Sequence, residues 1–461
     1  MKKLWVMALG TAFFLQTASL YAADVKFEGD FRVRGIYADD LDANEDVDDQ
    51  QAFADGRFRL RTTATAGITS GVVVVDFTSS FSDPRQTGAG GAADCSATGC
   101  TTGNYRFGSA NFGGSYNIVG VREAYLKLDL NMVKLAFGRK PFRLGHSLVL
   151  DDTMDAIVGK FMVGGFEVML ANGKLLDSNS TVATTGGATG SDTDVYIAKT
   201  GFTHGDMHNI GVFVTYLKDR IPAFIALPIP GGAPIGDKTD LWTLGVTADG
   251  KFGAINLGAE IDFFTGSMDS TTTGVDSVDL TGMNILIGVG LDVAAVDVGV
   301  AALYTTGQDA DGDEVNINGL SGNFVLGNIL INDNIFSDRE GQCASVGGAR
   351  IGSGGASCVG GLGVMGIKLS AGLEGVPFGK TCHTELAAIW AQTAEDPVDG
   401  TGTAGDSDLG IEIDLNHKHK LDDNVAVAVN LGYLLSGDAW QTLTGGDDNQ
   451  LKGIIALNYM F

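Results

Sequence analysis

The chain has 461 residues, of which 67 are glycine and only 8 proline, and its formal net charge is −26. A hydrophobic content of 44% excludes a disordered chain, and so acidic a balance excludes nucleic acid as a partner. The length admits one large domain or about three ordinary ones.

Residues 1–23 read as a signal peptide. Met1-Lys2-Lys3 is a basic start, LWVMALGTAFFL is an apolar run too short to span a bilayer well, and small residues allow cleavage after Ala22 or Ala23. The remainder, 24–461, is expected to form one unit. Its dominant pattern is alternation with period two over segments of ~10 residues. In VKFEGDFRVRGIY one face is Val25, Phe27, Phe31, Val33 and Tyr37, and the other is Lys26, Glu28, Asp30, Arg32 and Arg34. A loop with seven carboxylates follows, from Asp39 to Asp49, with the composition of a solvated external surface.

In GRFRLRT, Arg57, Arg59 and Arg61 take every second position and so share one face of a strand. On lipid each would cost ~2–4 kcal/mol near the midplane; toward water they are solvated. Arg32, Arg34 and Lys134 are expected on the same wall. The alternative is that the arginines pair with Asp30, Asp55 or Glu123 and stabilise the wall. The two functions are compatible.

A tight GITSG turn precedes a long glycine-rich loop holding Cys95 and Cys100. Local pairing of these two, and of Cys343 with Cys358, is the simplest disulfide arrangement; cross-pairing stays open, and Cys382 is left over. No C-x-x-C-H attaches haem, so no cofactor is expected. His146, near Asp151 and Asp152, is the one hint of hydrolytic chemistry. Further on, AINLGAEIDFF turns Glu260 and Asp262 to the polar face. The segment VGLDVAAVDVGVAALY is interrupted by Asp292 and Asp297, so no long apolar helix follows the signal. Gly288, Gly290, Gly299 and Gly366 are expected on the polar face, where they leave space.

The longest connection, 306–360, contains NFVLGNILINDNIF, apolar enough to fold inward. Its Asp309, Asp311 and Asp313 resemble the start of a calcium loop, but the closing Glu position is Leu320, so an EF-hand fails and no metal is assigned. LGIEIDLN places Glu412 and Asp414 on the polar face, HKHK (His417–Lys420) falls at a short turn, and LKGIIALNYMF ends the chain.

Long and short connections alternate throughout, which gives about 18 strands with both termini on the short-turn side. These features predict an all-β, antiparallel, transmembrane barrel with short periplasmic turns and long extracellular loops, located in a bacterial outer membrane. At this strand number wall side chains alone do not fill the interior. The expected function is passive diffusion of small hydrophilic solutes, with anions favoured by the arginine stripe and Glu260, Asp262, Glu412 and Asp414 lining other parts of the pore. The rival readings are a sheath around a periplasmic multihaem cytochrome and a barrel hydrolase.

The stretch Val121–Phe161 resembles bacterial porins of the phosphate-selective and alginate-export type. Its Arg-Glu-Ala-Tyr-Leu strand, turn and strand ending in Gly-Arg are similar to theirs, with Lys140 where that pattern carries Gln. Tyr459 and the terminal Phe461 resemble the aromatic signal read by the barrel-assembly machinery, which would make that machinery a partner. The resemblance implies an outer-membrane diffusion channel, bounded by lipid.

Overall fold

A computed structural model describes residues 23–40, 50–80, 95–96, 99–100, 110–111, 117–177, 192–204, 208–219, 238–269, 277–307, 314–320, 324–331, 349–350, 362–377, 381–397 and 403–461. Residues 1–22 of the expected signal peptide, Cys343, Cys358, and Asp309, Asp311 and Asp313 lie outside them. The backbone sets Cys95 opposite Cys100 in a two-residue ladder.

Eighteen wall strands follow one another in the chain. They are β1 (Asp24–Asp39), β2 (Gln51–Ala66), β3 (Thr69–Ser80), β4 (Asn117–Leu130), β5 (Val133–Leu144) and β6 (Leu150–Val163). Then come β7 (Phe166–Asp177), β8 (Asp192–His204), β9 (His208–Asp219), β10 (Lys238–Phe252), β11 (Ile255–Asp269) and β12 (Val278–Val293). The last six are β13 (Val296–Thr305), β14 (Val364–Glu374), β15 (Cys382–Gln392), β16 (Asp408–Lys420), β17 (Val425–Ser436) and β18 (Gln450–Met460). Each pairs antiparallel with the next, and β18 returns to β1 from Asp30↔Met460 to Asp39↔Leu451, so the sheet closes. Closure satisfies every wall N–H and C=O without an edge, which hydrocarbon demands.

The short side is built from tight hairpins at 67–68, 131–132, 164–165, 253–254 and 294–295. Each opens with a residue at positive φ (Gly67, Asn131, Gly164, Gly253 and Ala294), the backbone state that matches the twist of the flanking strands. The chain end completes the seam. Phe461 N–H donates to Gly29 O at 3.0 Å, Gly29 N–H donates to Phe461 O at 2.9 Å, and the Phe461 ring stacks on Phe58 with centroids 6.3 Å apart.

The alternation read from the sequence becomes an inside and an outside. Ile157, Leu170, Ile287, Leu369 and Ile455 are each more than half exposed on the outer face. Leaving one such side chain in water rather than oil costs ~1.5–3 kcal/mol, so an acyl environment is what this surface fits. A helix, α1 (Ala439–Leu443), lies within the last long connection and packs on β16 through buried Trp440, whose Nε1–H donates to Leu409 O at 2.9 Å.

Candidate permeation site

β1 to β4 carry an ionic wall. In the β1–β2 ladder the rungs are Glu28↔Arg61, Asp30↔Arg59, Arg32↔Arg57 and Arg34↔Asp55. Arg57 donates to Asp30 at 2.7 Å. Arg59 grips Asp76 of β3 with two bonds, 2.6 and 2.7 Å. Arg61 reaches Glu123 of β4 at 2.9 and 3.0 Å. Arg34 Nε–H donates to Asp55 at 2.9 Å, and Arg122 lies 4.0 Å from Asp76. Five guanidiniums therefore share four carboxylates. Arg32 faces Arg57 across its rung, joins no ion pair among the described residues, and has an Nε without a hydrogen-bond partner. The pairing explains how like charges stay together on one face: each paired guanidinium is offset by a carboxylate on an adjacent strand or, for Arg61, two strands away. Lys134 stands apart at the short-turn end, 3.6 Å from Asp129 and half exposed.

The acids of the other strands sit in different surroundings. Glu260 and Asp262 are on the inner face of β11 but buried beneath the connection 145–149. Glu260 Oε2 accepts from the His146 backbone N–H at 2.5 Å and meets His146 Nδ1 at 2.7 Å, while His146 Nε2 meets Asp249 at 2.9 Å. The approach is close enough that a side chain at Gly145 would overlap Glu260 Oε1. With a carboxylate at each ring nitrogen, both nitrogens carry protons, and the imidazolium is stabilised to a pKa of about 9, chiefly by the Glu260 bond. His146 thus meets Glu260 and Asp249, and Ser147 takes Asp151, with Oγ–H donating at 2.8 Å.

Glu412 and Asp414 of β16 hold a second segment, 324–331, from the longest connection. Glu412 accepts three successive backbone N–H groups, Asn328, Ile329 and Leu330, each at 2.7 Å. Asp414 accepts from Asn328 N–H at 3.1 Å, and Lys452 of β18 donates to Asn328 O at 2.5 Å. Leu326 N–H to Ile331 O and Gly327 N–H to Leu330 O close a tight loop on this carboxylate. Gly366 of β14 gives it room: a Cβ there would come within 2.6 Å of Ile331. Leu148, Leu326, Ile329, Leu330 and Ile331 form one apolar cluster with wall residues, so the two inner segments support each other, and Leu320 N–H, from the stretch 314–320, donates to Val149 O. Beneath them is a recess of about 590 Å³ that includes Gly288, Gly290, Gly299 and Lys368.

A closed barrel of eighteen strands, apolar outside and lined inside by ion pairs and by the chain's own segments, is the architecture of the transmembrane β-barrels of the bacterial outer membrane. Among solved structures the chain is similar to OccAB1 from Acinetobacter baumannii, at 12% identity and a TM-score of 0.57, covering 95% of this chain and 96% of that one. It is also similar to OccK9 (OpdG) from Pseudomonas aeruginosa, at 12% and 0.57 over 95% and 98%, and to OpdK from the same organism, at 10% and 0.53 over 95% and 99%. Identities this low establish a common fold. No protein-family model matches the sequence, and no curated protein does.

Proposed function

We propose that this chain is an outer-membrane porin that passes small hydrophilic solutes by diffusion, with a preference for anions. The observation that carries the reading is Arg32, a guanidinium on the inner ionic wall outside its ion pairs. An anion passing there exchanges part of its hydration for Arg32 and for the residual positive charge of the row. The likeness of Val121–Phe161 to phosphate-selective and alginate-export porins supports an anionic solute. So does the solved structure of OpdK with vanillate, an aromatic carboxylate.

Segments 145–149 and 324–331 lie on the inner face of the wall and narrow the passage. They occupy interior space that a sheathed cytochrome would need. His146, held between two carboxylates as a cation, is unsuited to act as a general base, and among the described residues it has no serine partner. Recognition of Phe461 by the assembly machinery remains part of the proposal.

The test is the reversal potential of single channels in a KCl gradient. The wild-type channel is expected to favour chloride, and Arg32→Ser to move the potential toward the cation side. An identical potential in the two proteins would refute the role of the row.

A further inference from the structure

The sequence uses the same local pattern twice, Gly258-Ala-Glu-Ile-Asp-Phe on β11 and Gly410-Ile-Glu-Ile-Asp-Leu on β16. In both, the Glu fastens an inward segment and the Asp two residues on is buried beside it. The two sites differ in how their negative charge is met. At Glu412 and Asp414 the chain supplies three backbone N–H groups to one carboxylate, one to the other, and the buried ammonium of Lys452 next to them. At Glu260 and Asp262 the cation hydrogen-bonded to the pair is His146, and its bonds go to one oxygen of Glu260. Asp262, fully buried, receives only a long 3.3 Å bond from Asn284 Nδ2.

Two amide side chains join this deficit, Asn284 and Asn318, the latter anchored by its Nδ2–H to Thr306 O at 3.1 Å. Asn284 stands directly across from Asp262 on β12, and its Nδ2 also donates to the backbone oxygen of Asn318 at 2.9 Å. Glu260 Oε1, Asp262 Oδ1, Asn284 Oδ1 and Asn318 Oδ1 are all buried acceptors without a hydrogen-bond partner. The four residues are at most 4% exposed. Buried acceptors without a donor call for one from outside the chain, a water, a proton or a cation, and two carboxylates among them favour positive charge. A proton shared between the two carboxylates satisfies one pair of oxygens and leaves both amide oxygens unmet.

We propose that Glu260, Asp262, Asn284 and Asn318 bind a hard divalent cation, calcium, which ties the segment bearing Asn318 to the β11–β12 wall. The donor set is all oxygen, with two carboxylates and two amide carbonyls, the chemistry of calcium rather than of zinc or copper. Among the described residues no group of three His, Cys, Asp or Glu side chains forms a softer alternative. The cation complements His146: one positive group meets Glu260 Oε2, and the other meets the remaining oxygens of the motif.

The experiment uses the full-length mature protein in detergent, stripped with a chelator and dialysed against calcium chloride. Bound calcium is measured by atomic emission, and thermal unfolding is followed by circular dichroism, for wild type, Asp262→Asn and Asn318→Ala. Wild type is expected to hold one equivalent more than Asp262→Asn, and its melting temperature to rise with calcium while that of Asp262→Asn does not. Asn318→Ala, which alters no charge and no wall strand, is expected to need at least tenfold more calcium for the same rise; it carries the test if Asp262→Asn does not fold. Acidic external loops are common to all three proteins and cancel in the difference. Equal binding by wild type and a folded variant overturns the proposal. So does a wild-type melting temperature that responds to pH and not to calcium, the mark of a shared proton. Neither readout involves conduction, so failure here leaves the channel reading standing.

Discussion

Replacing Glu412 should open the channel. Its carboxylate accepts three backbone N–H groups at 2.7 Å in a buried setting, and nothing else fastens the 328–330 turn as strongly. Hydrogen bonds to a charged group contribute ~1.5–3 kcal/mol each against ~1 for neutral ones. Glu412→Gln removes the charge and one of the two acceptor oxygens, so over three bonds the docked turn loses about 3 kcal/mol. That is roughly a 150-fold shift toward the undocked state. Glu412→Ala leaves all three N–H groups unmet and should act more strongly. Single-channel recordings in planar bilayers are the assay. Glu412→Gln is expected to show larger unitary conductance or frequent steps to a larger level, and Glu412→Ala to stay mostly at that level. Conductance and current noise identical to wild type in both variants, in protein shown to be folded, would refute the idea that this carboxylate sets the width of the passage.

Three further outcomes follow from the same geometry. His146 is stabilised as a cation, with a pKa of about 9 against an ordinary 6.5, so its tether to Glu260 is complete below about pH 6.5 and is lost as pH rises through about 9; current noise should increase over that upper range, and His146→Asn should abolish the dependence. Arg59→Ser strips the two-bond partner from half-buried Asp76 and should destabilise the barrel by about 1–3 kcal/mol, with most of the loss recovered in Arg59→Ser/Asp76→Ser, as read from denaturant unfolding of all four proteins of the cycle. Gly29→Ala would set a methyl 2.5 Å from the Phe461 ring and 2.9 Å from Arg59 O, so the closing seam should weaken by about 1–3 kcal/mol, visible as a lower temperature for the heat-induced change in gel mobility.

The wall was legible because its physics is local. Alternation with period two, tight turns such as Gly67 and Asn131, and the aromatic end at Phe461 are each written in a few adjacent residues. They need only a bilayer to be read as a cylinder. The ion pairs were legible in part: Asp30, Asp55 and Glu123 could be named as partners, whereas Asp76, directly across from Arg59 on β3, has that role through the β2–β3 register, which no local pattern states. Glu260 and Asp262 read as lining the pore, and local reasoning has no means of finding a segment docked over them. What covers them is His146, 114 positions away. Likewise Asn328 meets Glu412 from 84 positions away. Neither contact leaves a periodic trace. The one available signal was the repeated Glu-Ile-Asp, since two carboxylates on one inner face are costly to bury and imply that something is brought to meet them.

That cost also explains why the inner segments are placed by carboxylates rather than by apolar packing alone. Leu326, Ile329 and Leu330 would gain similar burial against several parts of an interior that already holds Leu286, Leu303 and Ile389. Hydrophobic contact rewards area and is nearly indifferent to register. Three N–H groups converging on one Glu412 are not indifferent: a shift of one residue in the 328–330 turn breaks the whole set. Gly366 sharpens the choice, because it is a point on β14 where Ile331 can sit without meeting a side chain. The interior is thus specified by a few polar contacts laid over a permissive apolar filling. Conservative changes among Leu326, Ile329 and Leu330 should therefore alter stability while leaving conductance near wild type, and changes at Glu412 should do the reverse.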